Sequence, residues 1–230
     1  MDYKDQKRAY PEKDCKVIAI INQKGGVGKS TTAVNLTAAL GETKKKVLLI
    51  DFDPQGNATS GYGIEKEELE HDIYDVILNE YSIKDLILPT PEERVFVVPA
   101  TIQLAGAEIE LVNKENREYV LKKAIEEVKD EFDYVFIDCP PSLGLLTINA
   151  FVAADSLLVP IQCEYYALEG VSKLLESMAM VQSNLNPDLE VFGVVMTMFD
   201  SRTTLSKQVK KFQTTLAIRC LKLSFPEILK

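Results

Sequence analysis

Residues 17–31, Val17-Ile18-Ala19-Ile20-Ile21-Asn22-Gln23-Lys24-Gly25-Gly26-Val27-Gly28-Lys29-Ser30-Thr31, constrain this chain more than any other stretch. An apolar run rich in β-branched residues passes at once into a glycine-rich turn with two lysines, and then into a helix-forming segment, 32–40. Glycines let a backbone curl until successive N–H groups face one anion, and the start of the following helix adds partial positive charge. The order predicts strand, phosphate loop and helix, with Lys29 reaching the β- and γ-phosphates of a nucleotide and the Ser30 hydroxyl offered to Mg2+. A glycine-rich turn without a ligand is the plainer alternative, and the glycines, the paired lysines and Ser30 together disfavour it.

Around this loop the chain keeps a regular rhythm. Short β-rich runs at 17–21, 47–50, 95–98, 134–137, 157–159 and 191–196 alternate with helix-like segments. The runs are continuously apolar rather than alternating, as strands covered on both faces must be. Leu121, Ala124, Ile125, Val128 and Phe132 recur at helical spacing and predict a helix whose stripe lies on that sheet. No repeat of 20 to 50 residues and no low-complexity linker interrupts the pattern. The expectation is an α/β chain of three layers, a mostly parallel central sheet with helices on both faces. Residues 1–15 form a polar extension, 16–216 one domain, and 217–230 an atypical tail.

In an open sheet of this kind, ligands bind beyond the carboxyl ends of the strands. Two of those ends are acidic: Leu48-Leu49-Ile50-Asp51-Phe52-Asp53-Pro54-Gln55, and Val135-Phe136-Ile137-Asp138-Cys139-Pro140-Pro141. One apolar run ending in Asp means little, because Asp is a common turn and cap residue. Beside a phosphate loop the two gain weight, and Asp138 suits Mg2+, which takes few carboxylates and keeps its waters.

Composition closes off other classes. The apolar runs fall far short of the roughly 18 residues of a membrane span, and the Asp/Lys-rich start lacks the apolar core of a signal peptide. A formal net charge of −9 disfavours a globally basic nucleic-acid binder, though not a local basic patch. Cys15, Cys139, Cys163 and Cys220 lack the spacing of a zinc site or a disulfide framework. His71, the single histidine, sits in an acidic segment and reads as a solvated side chain.

The common phosphate-loop spacing would put glycine at position 23, where this chain has Gln23, and Lys24 stands ahead of Gly25 and Gly26. That combination resembles the ParA/Soj/MinD family of deviant Walker A ATPases, and within it the chromosome-partitioning Soj proteins. The resemblance runs over 16–216, including Pro99-Ala100-Thr101, Val159-Pro160-Ile161-Gln162-Cys163-Glu164 and Thr197-Met198-Phe199-Asp200-Ser201-Arg202-Thr203. It implies a P-loop NTPase fold and an ATP hydrolase with ATP and Mg2+ as cofactors. The nucleotide would meet Lys24, Gly25, Gly26, Val27, Gly28, Lys29, Ser30 and Thr31, with Thr197 and Met198 on the adenine side. Asp53 would orient the attacking water, Asp51 would support the Mg2+ shell of Ser30 and Asp138, and Lys24 would reach a partner subunit's nucleotide. Further implications are an ATP-dependent homodimer, a ParB-like partner, non-specific DNA contacted through Arg202, and a cytoplasmic, nucleoid-associated protein without a membrane role. By sequence alone, Arg202, Lys207, Lys210 and Lys211 read as a solvated helix face.

From Ala217 onward the resemblance stops, and the expectation is that the family's further strand and C-terminal helices are missing. Codons for Ile218-Arg219-Cys220-Leu221-Lys222 can be chosen so that a one-base shift reads Asp-Lys-Val-Phe-Lys, and the following residues then read Thr-Val-Ile-Pro-Arg-Asn-Ile-Lys. A single lost base near Leu216 is the expectation that follows. Other functions on this scaffold are a MinD-like membrane-surface ATPase, which needs a basic amphipathic C-terminal helix, and a nitrogenase iron-protein relative, which needs a second cluster ligand besides Cys139. A nucleotide-binding module without turnover is the last.

Overall fold

A computed structural model of the chain describes residues 15–78, 80–162 and 167–198, without the side chains of 167–170. The elements run β1 (Lys16–Ile20), α1 (Lys29–Glu42), β2 (Val47–Asp51), α2 (Asn57–Gly61), α3 (Ile73–Leu78), β3 (Leu88–Pro89) and β4 (Val95–Val98). They continue as α4 (Leu104–Glu110), α5 (Val120–Glu126), β5 (Tyr134–Asp138), α6 (Leu145–Ala153), β6 (Ser156–Gln162), α7 (Ala167–Asn184) and β7 (Glu190–Thr197). The strands form one sheet in the order β3-β4-β2-β5-β1-β6-β7. Every pairing is parallel except that of β3 with β4.

Each predicted run is a strand, and alternate side chains explain why none of them alternates in polarity. Ala19, Ile50, Val135, Leu157 and Val194 pack with α3, α4, α5, α6 and α7 on one face. Ile18, Leu49, Phe136, Leu158 and Val195 pack with Ala33 of α1, Ala58 of α2 and Tyr62 on the other. Each fully buried Val, Leu or Ile contributes about 1.5–3 kcal/mol, so both faces select apolar residues at every register position. Membrane insertion finds no candidate among the described residues, where no helix is long and apolar enough to cross a bilayer.

Three details differ from the sequence reading. The strand β3 was not predicted, being two residues long and containing Pro89, which suits an edge. The stripe from Leu121 to Phe132 is buried throughout, yet α5 ends at Glu126; a 3-10 turn at Lys129–Glu131 then carries Phe132 into the core. His71 is not simply solvated: its ring lies 3.9 Å from that of Tyr81, and its Nδ1 is 3.5 Å from an Asp75 carboxylate oxygen. Arg202, Lys207, Lys210, Lys211, Cys163, Cys220 and the segments 1–14 and 217–230 lie outside the described residues.

Candidate functional site

The loop between β1 and α1 is built from both of its ends. Asn22 is buried and donates through Nδ2 to the Pro160 carbonyl within β6 at 2.7 Å, while its Oδ1 accepts from the Lys24 amide at 2.9 Å. Gly26 and Gly28 take φ of +74° and +86°, the left-handed region that a side chain resists. At Gly25 and Gly26 an added Cβ would meet nothing within 4 Å, so the space above the loop is open. At the far end Thr197, the last residue of β7, donates its hydroxyl to the Val27 carbonyl at 2.7 Å. The apolar Val27 side chain is buried, which pins the loop's middle while its glycines stay at the surface.

Gly28 leads into α1 without any side-chain cap, so the first amides of a 14-residue helix are left to another acceptor. Those amides, with Lys29, Ser30 and Thr31, line a cavity of about 630 Å3 that Asp53, Asn57 and Met198 close from other sides. Met198 is 65% exposed and holds φ of +52°, a strained setting for a methionine, directly after Thr197. An uncapped helix start, a lysine and an open glycine loop form an anion cradle. Lys24 is exposed on the outer part of the loop.

The acidic strand ends stand behind this cradle. Asp51 and Asp138 are register partners across β2 and β5, and both are fully buried. Asp51 is well supplied: Oδ1 accepts from the Asp53 amide at 3.2 Å, and Oδ2 from the Thr59 amide and hydroxyl, each at 2.7 Å. Burial nevertheless pushes its carboxyl up to about 6, against the pull of those bonds. Asp138 has no such help, for neither carboxyl oxygen finds a hydrogen-bond partner among the described residues. Burial first, and the Asp51 charge second, raise its carboxyl well above the usual range; nearby Ser30 and Lys29 offset only part of this.

Two buried oxygens without donors beside a serine hydroxyl fit a cation that brings its own water. Among the described residues no three carboxylate, His or Cys side chains converge as a cage. Mg2+ needs none, since it binds through one or two protein groups, waters and substrate phosphates. Asp53 is 5% exposed, and its Oδ1 accepts from the Gln55 amide at 3.0 Å, which leaves it directed by its own loop. Cys139, next to Asp138, is sealed: its thiol donates to the Ile137 carbonyl and burial pushes its pKa well up. The cavity thus gathers Gly25, Gly26, Gly28, Lys29, Ser30, Thr31, Asp53 and Met198, while Val27, Thr197, Asp51 and Asp138 support it from behind. Asn22, Asn57, Thr59 and Pro141 were not singled out by sequence reasoning; only the position of Asn22, just ahead of the loop, was a signal.

Comparison with known proteins agrees with this geometry. Residues 15–191 match the family model described as an AAA domain. The chain is 59% identical over 194 residues to the sporulation initiation inhibitor protein Soj of Bacillus subtilis (strain 168), covering 84% of this chain and 77% of that one. It is 54% identical over 194 residues to the chromosome partitioning protein ParA of Myxococcus xanthus (strain DK1622), covering 84% and 69%. Among solved structures, the cobyrinic acid a,c-diamide synthase from Mycobacterium smegmatis with bound ADP and magnesium superposes with a TM-score of 0.85 at 41% identity, over 93% of this chain and 86% of that one. The same protein is known with a bound ATP analogue and magnesium. Identity of 59% over more than four fifths of the chain, with Lys24 and Lys29 both in place, makes this chain a member of the ParA/Soj/MinD family of deviant Walker A ATPases.

Proposed function

We propose that the chain is a partition ATPase: it binds ATP with Mg2+, dimerises on ATP, holds DNA without sequence preference in that state, and is reset when a ParB-like partner stimulates hydrolysis. The observation that carries this reading is the meeting of Lys29, Ser30 and Asp53 in one cavity that backs onto the buried Asp138 carboxyl, which has no hydrogen-bond partner among the described residues. The ADP, ATP-analogue and magnesium complexes of the similar solved protein support ATP and Mg2+ as the ligands.

Phosphoryl transfer asks for positioning and charge neutralisation rather than covalent chemistry from the protein. The amides of the glycine loop and the start of α1 take the phosphate oxygens, and Lys29 neutralises charge at the terminal phosphates. Ser30 and Asp138 would hold Mg2+, with Asp51 supporting them from the neighbouring strand end, and the bound ion would supply neutralisation of phosphate charge. Asp53 orients the attacking water in line with the terminal phosphate. Thr197 and Met198 bound the adenine side, and Lys24 reaches the nucleotide of a second subunit.

DNA contact in this reading falls to Arg202, helped by Lys207, Lys210 and Lys211, and its strength falls steeply with salt because it rests on phosphate contacts. The protein then works in the cytoplasm on the nucleoid. The test is size measurement and DNA retardation of the purified chain with ADP, with ATP and with no nucleotide, alongside Mg2+-dependent phosphate release. Dimers and retarded DNA with ATP alone, lost in Arg202→Ala for DNA only, support the reading. Equal DNA binding in all nucleotide states overturns it.

A further inference from the structure

The loop that carries Asp53 is a thin wall between two spaces. On one side lies the nucleotide cavity; on the other lies a groove of about 500 Å3 bordered by Lys66, Asp72, Asp75 and Thr101. Gln55 faces both. Within the wall, the Gly56 amide donates to the Asp53 carbonyl at 2.8 Å, and the Phe52 amide ties its start to the Asp138 carbonyl at 2.9 Å. Two residues that do not line the cavity brace it further from behind.

The first is Thr59 in α2. Its amide and hydroxyl both donate to Asp51 Oδ2 at 2.7 Å, and its hydroxyl accepts from the Ala100 amide at 3.0 Å. Thr59 is fully buried, so this single hydroxyl joins the loop after β2 to the loop after β4. Asp51, held in this way, accepts the Asp53 amide through its other oxygen. The second is Lys66, whose Nζ donates to the Gln55 carbonyl at 2.8 Å from the groove side. The Gln55 amide in turn donates to Asp53 Oδ1. Lys66 also lies across Gly56, where an added Cβ would stand 2.7 Å from its Cδ and 2.5 Å from the Ala100 carbonyl oxygen. Backbone and carboxylate of Asp53 are therefore each one hydrogen bond away from a braced group.

We propose that Thr59 and Lys66 are positioning residues that set the Asp53 carboxylate for hydrolysis, Thr59 through Asp51 and Lys66 through Gln55. The proposal rests on the ATPase reading above. A loose Asp53 still leaves the glycine loop, Lys29 and Ser30 untouched, so nucleotide binding is preserved while turnover falls. Removing a buried hydroxyl also costs stability, whereas a partly exposed lysine with one such bond costs little. The two residues thus give independent tests of one idea.

The experiment compares wild type with Thr59→Val, Thr59→Ser and Lys66→Met by steady-state ATP hydrolysis, equilibrium ATP-analogue binding and amide exchange of the nucleotide-free protein. Expected are a drop in kcat of about tenfold in Thr59→Val and Lys66→Met, with KM and analogue affinity within about twofold. Thr59→Ser keeps the hydroxyl and restores turnover to near the wild-type value. Exchange of the Gln55 amide rises in Lys66→Met, and that of the Asp53 amide in Thr59→Val. Wild-type kcat in folded Lys66→Met overturns the Lys66 half even if Thr59→Val does not fold. Unchanged amide exchange overturns the brace regardless of activity. A wild type that binds ATP but never hydrolyses it, with the exchange changes present, sinks the ATPase reading and leaves the brace standing as a purely structural one.

Discussion

Asp51 and Asp138 sit opposite one another in the β2–β5 ladder, and the fold treats them unequally. Asp51 takes bonds from Asp53 and Thr59 on both of its oxygens, and Asp138 takes none from the described residues. One is a structural acceptor that ties a loop together. The other is a buried acid whose missing partners are those a hydrated cation carries.

That inequality predicts how Asp138→Asn behaves. An acid whose folded pKa is raised holds its proton more tightly when folded than when unfolded, so the stability it contributes falls as pH climbs past the unfolded value near 4. In the nucleotide-free protein Asp138→Asn removes this cost, and its gain in stability grows as pH rises. Denaturant unfolding at pH 5 and pH 8 reads it. Mg2+-dependent hydrolysis is lost in the same variant. A variant less stable than wild type at pH 8 means that Asp138 is paired when nucleotide is absent.

Asp53→Ala separates binding from chemistry. The glycine loop and Lys29 are left intact, so analogue affinity stays within about twofold while phosphate release falls by about a hundredfold. Parallel losses in both would place Asp53 in ground-state binding instead.

Two glycines make opposite predictions. Gly56 has φ of +61° and no room for a Cβ beside Ala100 and Lys66. Gly56→Ala costs at least about 1–2 kcal/mol of stability on backbone strain alone. Gly25 has open space above it, so Gly25→Ala leaves the melting temperature of the nucleotide-free protein unchanged and weakens nucleotide binding, because only a ligand meets the new methyl. Tight analogue binding by Gly25→Ala would show that phosphate does not approach that backbone.

Thr197→Val removes the donor to the Val27 carbonyl. A buried carbonyl left without its partner costs about 1–3 kcal/mol, and the loosened loop binds nucleotide less tightly. Thermal melts with and without ATP analogue measure both effects; a variant whose stabilisation by analogue equals that of wild type places the strand end outside the nucleotide site.

The sheet and phosphate loop were legible in the sequence because burial on both faces and close approach to an anion each leave a strong local signature. Lys29 and Ser30 follow their glycines by fixed spacing, and Asp51 and Asp138 each end an apolar run. Thr59 had no such mark: beside its bonds to Asp51, it is fixed by a contact to Ala100, 41 positions away, which no local pattern encodes. β3 was invisible because two residues cannot show a period, and the end of α5 was missed because a 3-10 turn keeps Phe132 in the core that a longer helix would also have reached.

The interior place of β1 in the sheet also has a consequence for how the protein is made. The strand that opens the domain pairs with β5 and β6 and with no neighbour nearer in the chain. During synthesis at about 5–20 residues per second, it waits on the order of ten seconds for either partner to be made. Until then its apolar side chains are exposed on the ribosome, and the nascent chain is open to chaperones and to aggregation.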